Sequence, residues 1–222
     1  MRGIIFPRTY LVWDLETSGL TPGIDHVLEI GIITVLDGEV IPRGNFEAIL
    51  NHGIEIPERI TEITGLTKEK IEAEGKDPAF ILLKVLEIFE SAPAFVTHNG
   101  TRFDIEFLIR EMRRIIPAEM FPRIDSIRDK LLNFSVDTAA LYKAKKLGEE
   151  IKEGESAFDF FDRVLEIYAP GIKYKVGICC DELGIDKSAV TQHRAAGDII
   201  LTNEIYKKFS EVENKESTDE PF

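Results

Sequence analysis

The sequence predicts an α/β fold built on a mixed central sheet whose first three strands run antiparallel and whose faces carry helices. Three observations point there. "TYLVWDLET", "HVLEIGIITVLDG" and "VIPRGNFEAIL" follow one another as strand-like runs, with Asp37-Gly38 as a turn signal between the second and third. A β-α pattern then takes over, where the short strand "AFVTH" leads into a helical stretch over 102–116. Strands first and alternating helices later suit a mixed sheet with covered faces.

The remaining elements follow in order. Helical spacing and end signals mark 57–64, 68–74 and 78–90 before the short strand. After it come helices over 102–116, 137–146, 157–168, 175–183 and 194–209, with Asp137 placed as an N-cap. With 222 residues, 44% of them hydrophobic, the chain buries one core, and a single domain is expected over 1–210. Within it, 145–171 is a helical elaboration, with Phe158, Phe161, Val164 and Leu165 at helical spacing; it reads either as an extra packed helix or as a partner surface. Residues 211–222 read as an acidic tail without apolar periodicity. Cys179 and Cys180 are adjacent in an apolar helical pattern, which fits core packing in a reducing cytoplasm better than a disulfide or zinc. No apolar run approaches the roughly 20 residues of a membrane span, and "MRGIIFPRTY" is too short for a secretory signal. A cytoplasmic protein without a membrane role is expected.

Net charge is -13, from 40 acidic and 27 basic residues, which speaks against coating nucleic acid by bulk electrostatics. It leaves room for an enzyme that handles one strand end. Asp14 and Glu16 lie two apart at the end of an apolar strand and so point the same way. In the helix over 102–116 the stripe Leu108, Met112, Ile115 extends back one turn onto Asp104. Asp198 sits beside the stripe Ala195, Ile199, Tyr206, Phe209 of the last helix. His193 lies five residues before Asp198, so on one continuous helix the two would be roughly 140° apart. They converge only if His193 is in the preceding loop. Each feature alone has a bland reading: a solvated strand end, a first-turn acid favoured by the helix dipole, a capping histidine. Together they suit hard divalent cations, Mg²⁺ or Mn²⁺, of which two about 3.5 to 4 Å apart stabilise the attacking and leaving oxygens of a phosphodiester. A histidine, with an ordinary pKa of about 6.5, suits the general base.

These segments resemble a known family. "VWDLETSGL", "THNGTRFDIEFL" and "HRAAGD" are similar, in order, to the three motifs of the DEDDh 3′-to-5′ exonucleases. The likeness extends through "VLEIGIITV", "ITEITGLTKEKIE", "VDTAALYK" and "YKVGICCDELGI", covering nearly the whole chain to about Phe209. It is strongest to the proofreading-subunit type, such as the epsilon subunit of bacterial DNA polymerase III. The resemblance implies a ribonuclease H-like fold. It implies two Mg²⁺ or Mn²⁺ ions held by Asp14, Glu16, Asp104 and Asp198, with His193 as general base. It further implies that Thr17, Leu20 and Asn99 bind the terminal nucleotide, Leu20 as an apolar wedge. Glu29 recurs in such proteins but is kept structural.

The expected activity is release of nucleoside monophosphates from a single-stranded 3′ end, DNA preferred. An exoribonuclease of the oligoribonuclease kind, or an idle nucleic-acid-binding module of the same fold, are the alternatives. Lys143, Lys145, Lys146, Lys173, Lys175 and Arg194 read either as a local basic track or as surface scatter. The last residues, Thr218 to Phe222, resemble the acidic Pro-Phe tip of bacterial single-stranded-DNA-binding proteins, so a replication or repair partner is expected through this tail or through 145–171.

Overall fold

The computed structural model describes residues 3–188 and 195–216, with side chains as far as residue 211. Strands β1 (Tyr10–Thr17) and β2 (Val27–Leu36) pair antiparallel, with the register shifting between Glu16 and Thr17. β3 (Glu39–Val40) and β4 (Phe46–Ile49) both pair antiparallel with β2. The expected third strand therefore keeps its neighbour and direction but is broken in two. Pro42 has no N–H for a ladder, and a 3-10 turn over Pro42–Gly44 bridges the pieces.

Helices α1 (Glu58–Thr64), α2 (Lys68–Glu74) and α3 (Pro78–Ser91) follow, the last two capped by the Thr67 and Asp77 side chains. β5 (Phe95–Thr97) pairs parallel with β1. Then come α4 (Asp104–Ile115), α5 (Phe121–Phe134) and β6 (Ser135–Asp137), which pairs parallel with β5. α6 (Thr138–Leu147), α7 (Ala157–Glu166), α8 (Val176–Leu183) and α9 (Ala195–Glu216) complete the described chain. Strand order is β3-β2-β1-β5-β6, with β4 also on β2, which is the mixed sheet the sequence predicts.

The two faces of β1 divide the core. Leu11, Trp13 and Leu15 join Phe89, Phe107, Met112 and Ile127 under α3, α4 and α5. Tyr10 and Val12 join Val136, Phe160, Ile199 and Tyr206 under α6, α7 and α9. Period-two alternation then places Asp14 and Glu16 on the α9 side, at the end of the Tyr10–Val12 row. Polar bonds fix α9 on that row: Tyr10 Oη donates to Asn203 Oδ1 at 2.9 Å and Tyr206 Oη to the Pro7 carbonyl at 2.6 Å.

Four outcomes differ from or sharpen the sequence expectations. α5 and β6 are additional elements. α9 continues to Glu216, beyond Phe209, so the segment expected as tail begins as helix; Glu and Lys in "EVENKE" are good helix formers and need no buried stripe to extend one. The elaboration over 145–171 contains a packed helix: of the expected stripe, Phe161, Val164 and Leu165 are buried in the core together with Phe160, while Phe158 is half-buried. The basic track does not form around Lys143, Lys145 and Lys146. Lys143 is buried and donates to the Leu165 and Ile167 carbonyls at 2.8 and 2.7 Å, closing the C-terminal end of α7. Lys145 lies over the Phe209 ring and Lys146 pairs with Glu182. Cys179 and Cys180 are free and buried, and burial pushes their thiols up to about 12 and about 11, consistent with inert packing residues. Among the described residues no helix is long and apolar enough to cross a membrane.

Candidate active site

Three carboxylates meet where β1 ends, and a fourth, Asp104, lies near enough to act on Asp14. One oxygen each of Asp14, Glu16 and Asp198 lie within 4.8 Å of one another. Asp14 and Glu16 come from β1 and Asp198 from the first turn of α9. Asp104, the first residue of α4, is 4% exposed. The Leu15 backbone N–H and its own favour the charged form of its carboxyl. Burial, and secondarily the charge of Asp137, hold Asp104 up at about 7. Burial holds Asp14 well above the usual carboxylate range, and Asp104, then Glu16, Asp198 and Glu29, push the same way. Crowding like charges in a desolvated place is costly unless a cation offsets it. An all-oxygen donor set of this kind fits a hard divalent ion such as Mg²⁺ or Mn²⁺.

Two devices position the set. The first lies on β2. Gly31 pairs with Asp14 across the strands, and a Cβ on it would stand 2.8 Å from the Ala195 carbonyl carbon. Only glycine lets the start of α9 approach the sheet this closely. Two residues earlier on the same face, buried Glu29 accepts the Ala195 N–H at 3.2 Å. Glu29 thereby helps seat the helix that carries Asp198.

The second device is buried Asp137. It caps α6 through the N–H groups of Ala139 and Ala140, and it accepts two more from Asn99 and Thr101 at 2.9 and 3.0 Å. It thereby fixes the turn leading into Asp104. Asn99 takes the left-handed conformation there, φ 66°, which asparagine tolerates better than most residues. Asp137→Ala would leave these N–H groups without their acceptor. We expect it to cost at least about 3 kcal/mol of stability, with Asp137→Asn recovering part, as checked by urea unfolding.

The site residues expected from sequence are distributed as follows. Asp14, Glu16 and Asp198 are together, with Asp104 next to Asp14. Thr17 follows directly, buried, its hydroxyl donating to the Gly19 carbonyl at 2.6 Å. Leu20, 80% exposed, stands on the loop beyond rather than in the core. Asn99 lines a cleft of ≈ 650 Å³ that Asp198 also borders. His193, Arg194 and the terminal residues 217–222 lie outside the described residues. The same cleft has walls the sequence reading did not single out, Ile63, Phe103, Tyr174 and Lys187, together with Lys175 of the expected basic track. Exposure of a large apolar residue such as Ile63 cannot be read from periodicity. Phe103, directly before Asp104, was the more accessible clue.

The sheet, its covering helices and the carboxylates at the end of β1 define a ribonuclease H-like fold of the nuclease class. A sequence model of the exonuclease family (RNase_T) matches residues 11–153, and the chain belongs to that family. Over 214 residues the chain is 28% identical to a PolC-type DNA polymerase III of Clostridium perfringens, covering 96% of this chain and 12% of that protein. A PolC-type DNA polymerase III of Ureaplasma parvum is 25% identical over 199 residues, covering 90% of this chain and 11% of that protein. The chain thus spans a small part of these relatives. Among solved structures, the zinc-bound complex of E. coli exonuclease I with single-stranded DNA superposes with a TM-score of 0.71 at 17% identity, over 94% of this chain and 42% of that one. The complex of exonuclease I with SSB-Ct gives 0.69 at 18%, over 93% and 42%. Similarity at this level concerns the fold.

Proposed function

We propose that this chain is a divalent-metal-dependent exonuclease that removes nucleoside monophosphates from the 3′ end of single-stranded nucleic acid, with DNA the preferred substrate. The observation carrying the proposal is the convergence of Asp14, Glu16, Asp104 and Asp198 beside an open cleft. The polymerase relatives and the DNA-bound exonuclease I structures support the choice of DNA.

In this reading the four carboxylates would hold two Mg²⁺ or Mn²⁺ ions. When bound, such ions supply positive charge where a phosphodiester reacts and favour ionisation of the attacking water. The protein's own groups do the rest. Asp14, on the paired strand β1, and buried Asp104, at the start of α4, keep the carboxylate oxygens in place. Thr17, Leu20 and Asn99 border the terminal nucleotide. Leu20, being exposed, is free to insert against a base as an apolar wedge. His193 accepts the proton of the attacking water, which requires a neutral imidazole. His193→Ala should therefore lose most of the rate, roughly 10² to 10⁴-fold, and lose the fall in activity on the acid side of about pH 6.5. An unchanged pH profile in the variant would remove His193 from this role.

The direct test uses 5′-labelled DNA and RNA oligonucleotides of one sequence, with free or blocked 3′ ends. A ladder shortening from the free 3′ end is expected, faster on DNA, abolished by chelator and restored by Mg²⁺ or Mn²⁺. Faster loss of RNA would reassign the substrate. Binding without cleavage in every metal would leave only a nucleic-acid-binding module.

A further inference from the structure

The loop over 18–25 leaves β1 just after Glu16 and Thr17 and returns into β2. Outward it displays two apolar side chains, Leu20 at 80% and Ile24 at 73% exposure, so these contribute little core to hold it. Inside, its bonds are local: the Ser18 N–H donates to the His26 carbonyl and the His26 N–H to Ser18 Oγ, both at 2.8 Å, while the Asp25 carboxylate accepts the Thr21 N–H at 2.8 Å. The long-range hold is Arg114, in the last turn of α4. Its guanidinium donates to the carbonyls of Gly23, Ile24 and Asp25 at 3.3, 3.1 and 2.7 Å. The helix that begins with Asp104 at the carboxylate cluster therefore ends by gripping the loop beside that cluster.

Arg114 is itself seated. It pairs with Glu111, which is 1% exposed and one turn earlier on α4. Glu111 Oε1 also lies 3.1 Å from His26 Nδ1 and 3.5 Å from His52 Nε2. His26, His52 and Glu111 thus have the spacing of ligands around a cation. That positive charge is already present. Arg114 Nη2 lies 2.8 Å from His26 Nδ1 while it pairs with Glu111. His52 Nε2 is committed at 2.7 Å to the Val27 carbonyl, which can only accept, so that nitrogen carries a proton and offers no lone pair.

We propose that Arg114, held by Glu111, is a positioning residue that sets the loop over 18–25, and with it Thr17 and Leu20, against the terminal nucleotide, and that His26, His52 and Glu111 form its seat rather than a second metal centre. The placement of loop against nucleotide rests on the nuclease reading above; the clamp itself does not. A guanidinium is needed because one planar group must serve three carbonyls and a carboxylate at once, which a single ammonium cannot reproduce.

The test combines amide hydrogen exchange with steady-state kinetics on the full chain, comparing Arg114→Ala, Arg114→Lys and Glu111→Gln. For Arg114→Ala, exchange at the protected amides of Ser18, Thr21, Ile24 and Asp25 should rise about tenfold or more while β1 and β2 core amides are unmoved. KM for an oligonucleotide should rise by about tenfold, kcat should change less, and Mn²⁺ affinity should stay at the parental value. Arg114→Lys should fail to restore KM. Should Arg114→Ala not fold, Glu111→Gln, which keeps the arginine but weakens its anchor, should show the same loop-confined exchange to a smaller degree. Parental loop exchange in Arg114→Ala overturns the clamp, and a fall in kcat with KM unmoved overturns the positioning role. Stoichiometric zinc bound to an Asp14→Asn, Asp198→Asn protein and lost on His52→Ala overturns the assignment of the histidines. A parent without any cleavage would overturn the nuclease reading instead, and the exchange arm would still decide the clamp.

Discussion

Replacing Asp14 or Asp198 by asparagine should abolish cleavage, by roughly 10³-fold or more, while leaving the metal-free protein as stable as the parent or more so. The loss follows from removing a charged oxygen from the set proposed to hold the ions; several kcal/mol of transition-state stabilisation converts to about that factor. The stability gain follows from electrostatics within the chain. Asp14 is held well above the ordinary carboxylate range by burial and by Asp104, Glu16, Asp198 and Glu29, so its charged form is disfavoured by the fold. Asp104 shows the pH consequence most clearly, because its pKa rises from 3.8 to about 7 on folding. Between those values the folded chain binds more protons than the unfolded one, so this contribution to stability falls as pH climbs from about 4 to about 7. Thermal melts in chelator at pH 5 and pH 7.5 should therefore differ for the parent, and Asp104→Asn should narrow the difference. Added Mn²⁺ should raise the parental melting temperature at pH 7.5 and do so much less in Asp14→Asn. Parental turnover in either Asp14→Asn or Asp198→Asn would exclude these residues from the mechanism.

Asp14, Glu16 and Asp104 were legible because each breaks a pattern, whereas Asp198, beside its stripe, was legible as the end of "HRAAGD". Asp14 and Glu16 end an apolar strand, and Asp104 extends an apolar helix stripe. A polar residue where periodicity demands an apolar one is visible without coordinates. What supports them was visible without its role being assignable. Glu29 and Gly31 look like ordinary interruptions of "VLEIGIITV", and only the approach of Ala195 shows that both face the start of α9. β6 escaped notice because three residues carry no period, and its place is fixed by pairing with β5. α5 escaped because its stripe reduces to Ile124, Ile127 and Leu131 between charged residues. The split of the third strand was predictable in principle, since Pro42 removes a ladder donor. The grip of Arg114 on the loop was not, because its carbonyl partners lie about ninety residues away in sequence, and backbone acceptors leave no mark on residue type.

Gly31→Ala should damage both rate and stability through a single methyl group. The added carbon would stand 2.8 Å from the Ala195 carbonyl carbon and 3.0 Å from its oxygen and Cβ. Two of those atoms are backbone, so no rotamer change relieves the contact, and the start of α9 must move away from β2. That movement strains the 3.2 Å bond from the Ala195 N–H to Glu29 and carries Asp198 away from Asp14 and Glu16. Displacing a reacting constellation by about 1 Å can cost on the order of 10² in rate, and overpacking of this kind costs about 1 to 3 kcal/mol in stability. We expect kcat to fall by roughly that factor and Mn²⁺ affinity to weaken. The unfolding midpoint should drop, although an ordinary glycine-to-alanine change in an extended strand would raise it slightly by restricting the unfolded chain. Glu29→Gln retains an acceptor for the Ala195 N–H and should lose much less of both rate and stability. The measurements are steady-state cleavage, Mn²⁺ titration and urea unfolding of the two variants side by side. A Gly31→Ala enzyme with parental kcat and metal affinity would show that α9 reaches its place without the close approach at β2, and would remove Gly31 from the account of how Asp198 is positioned.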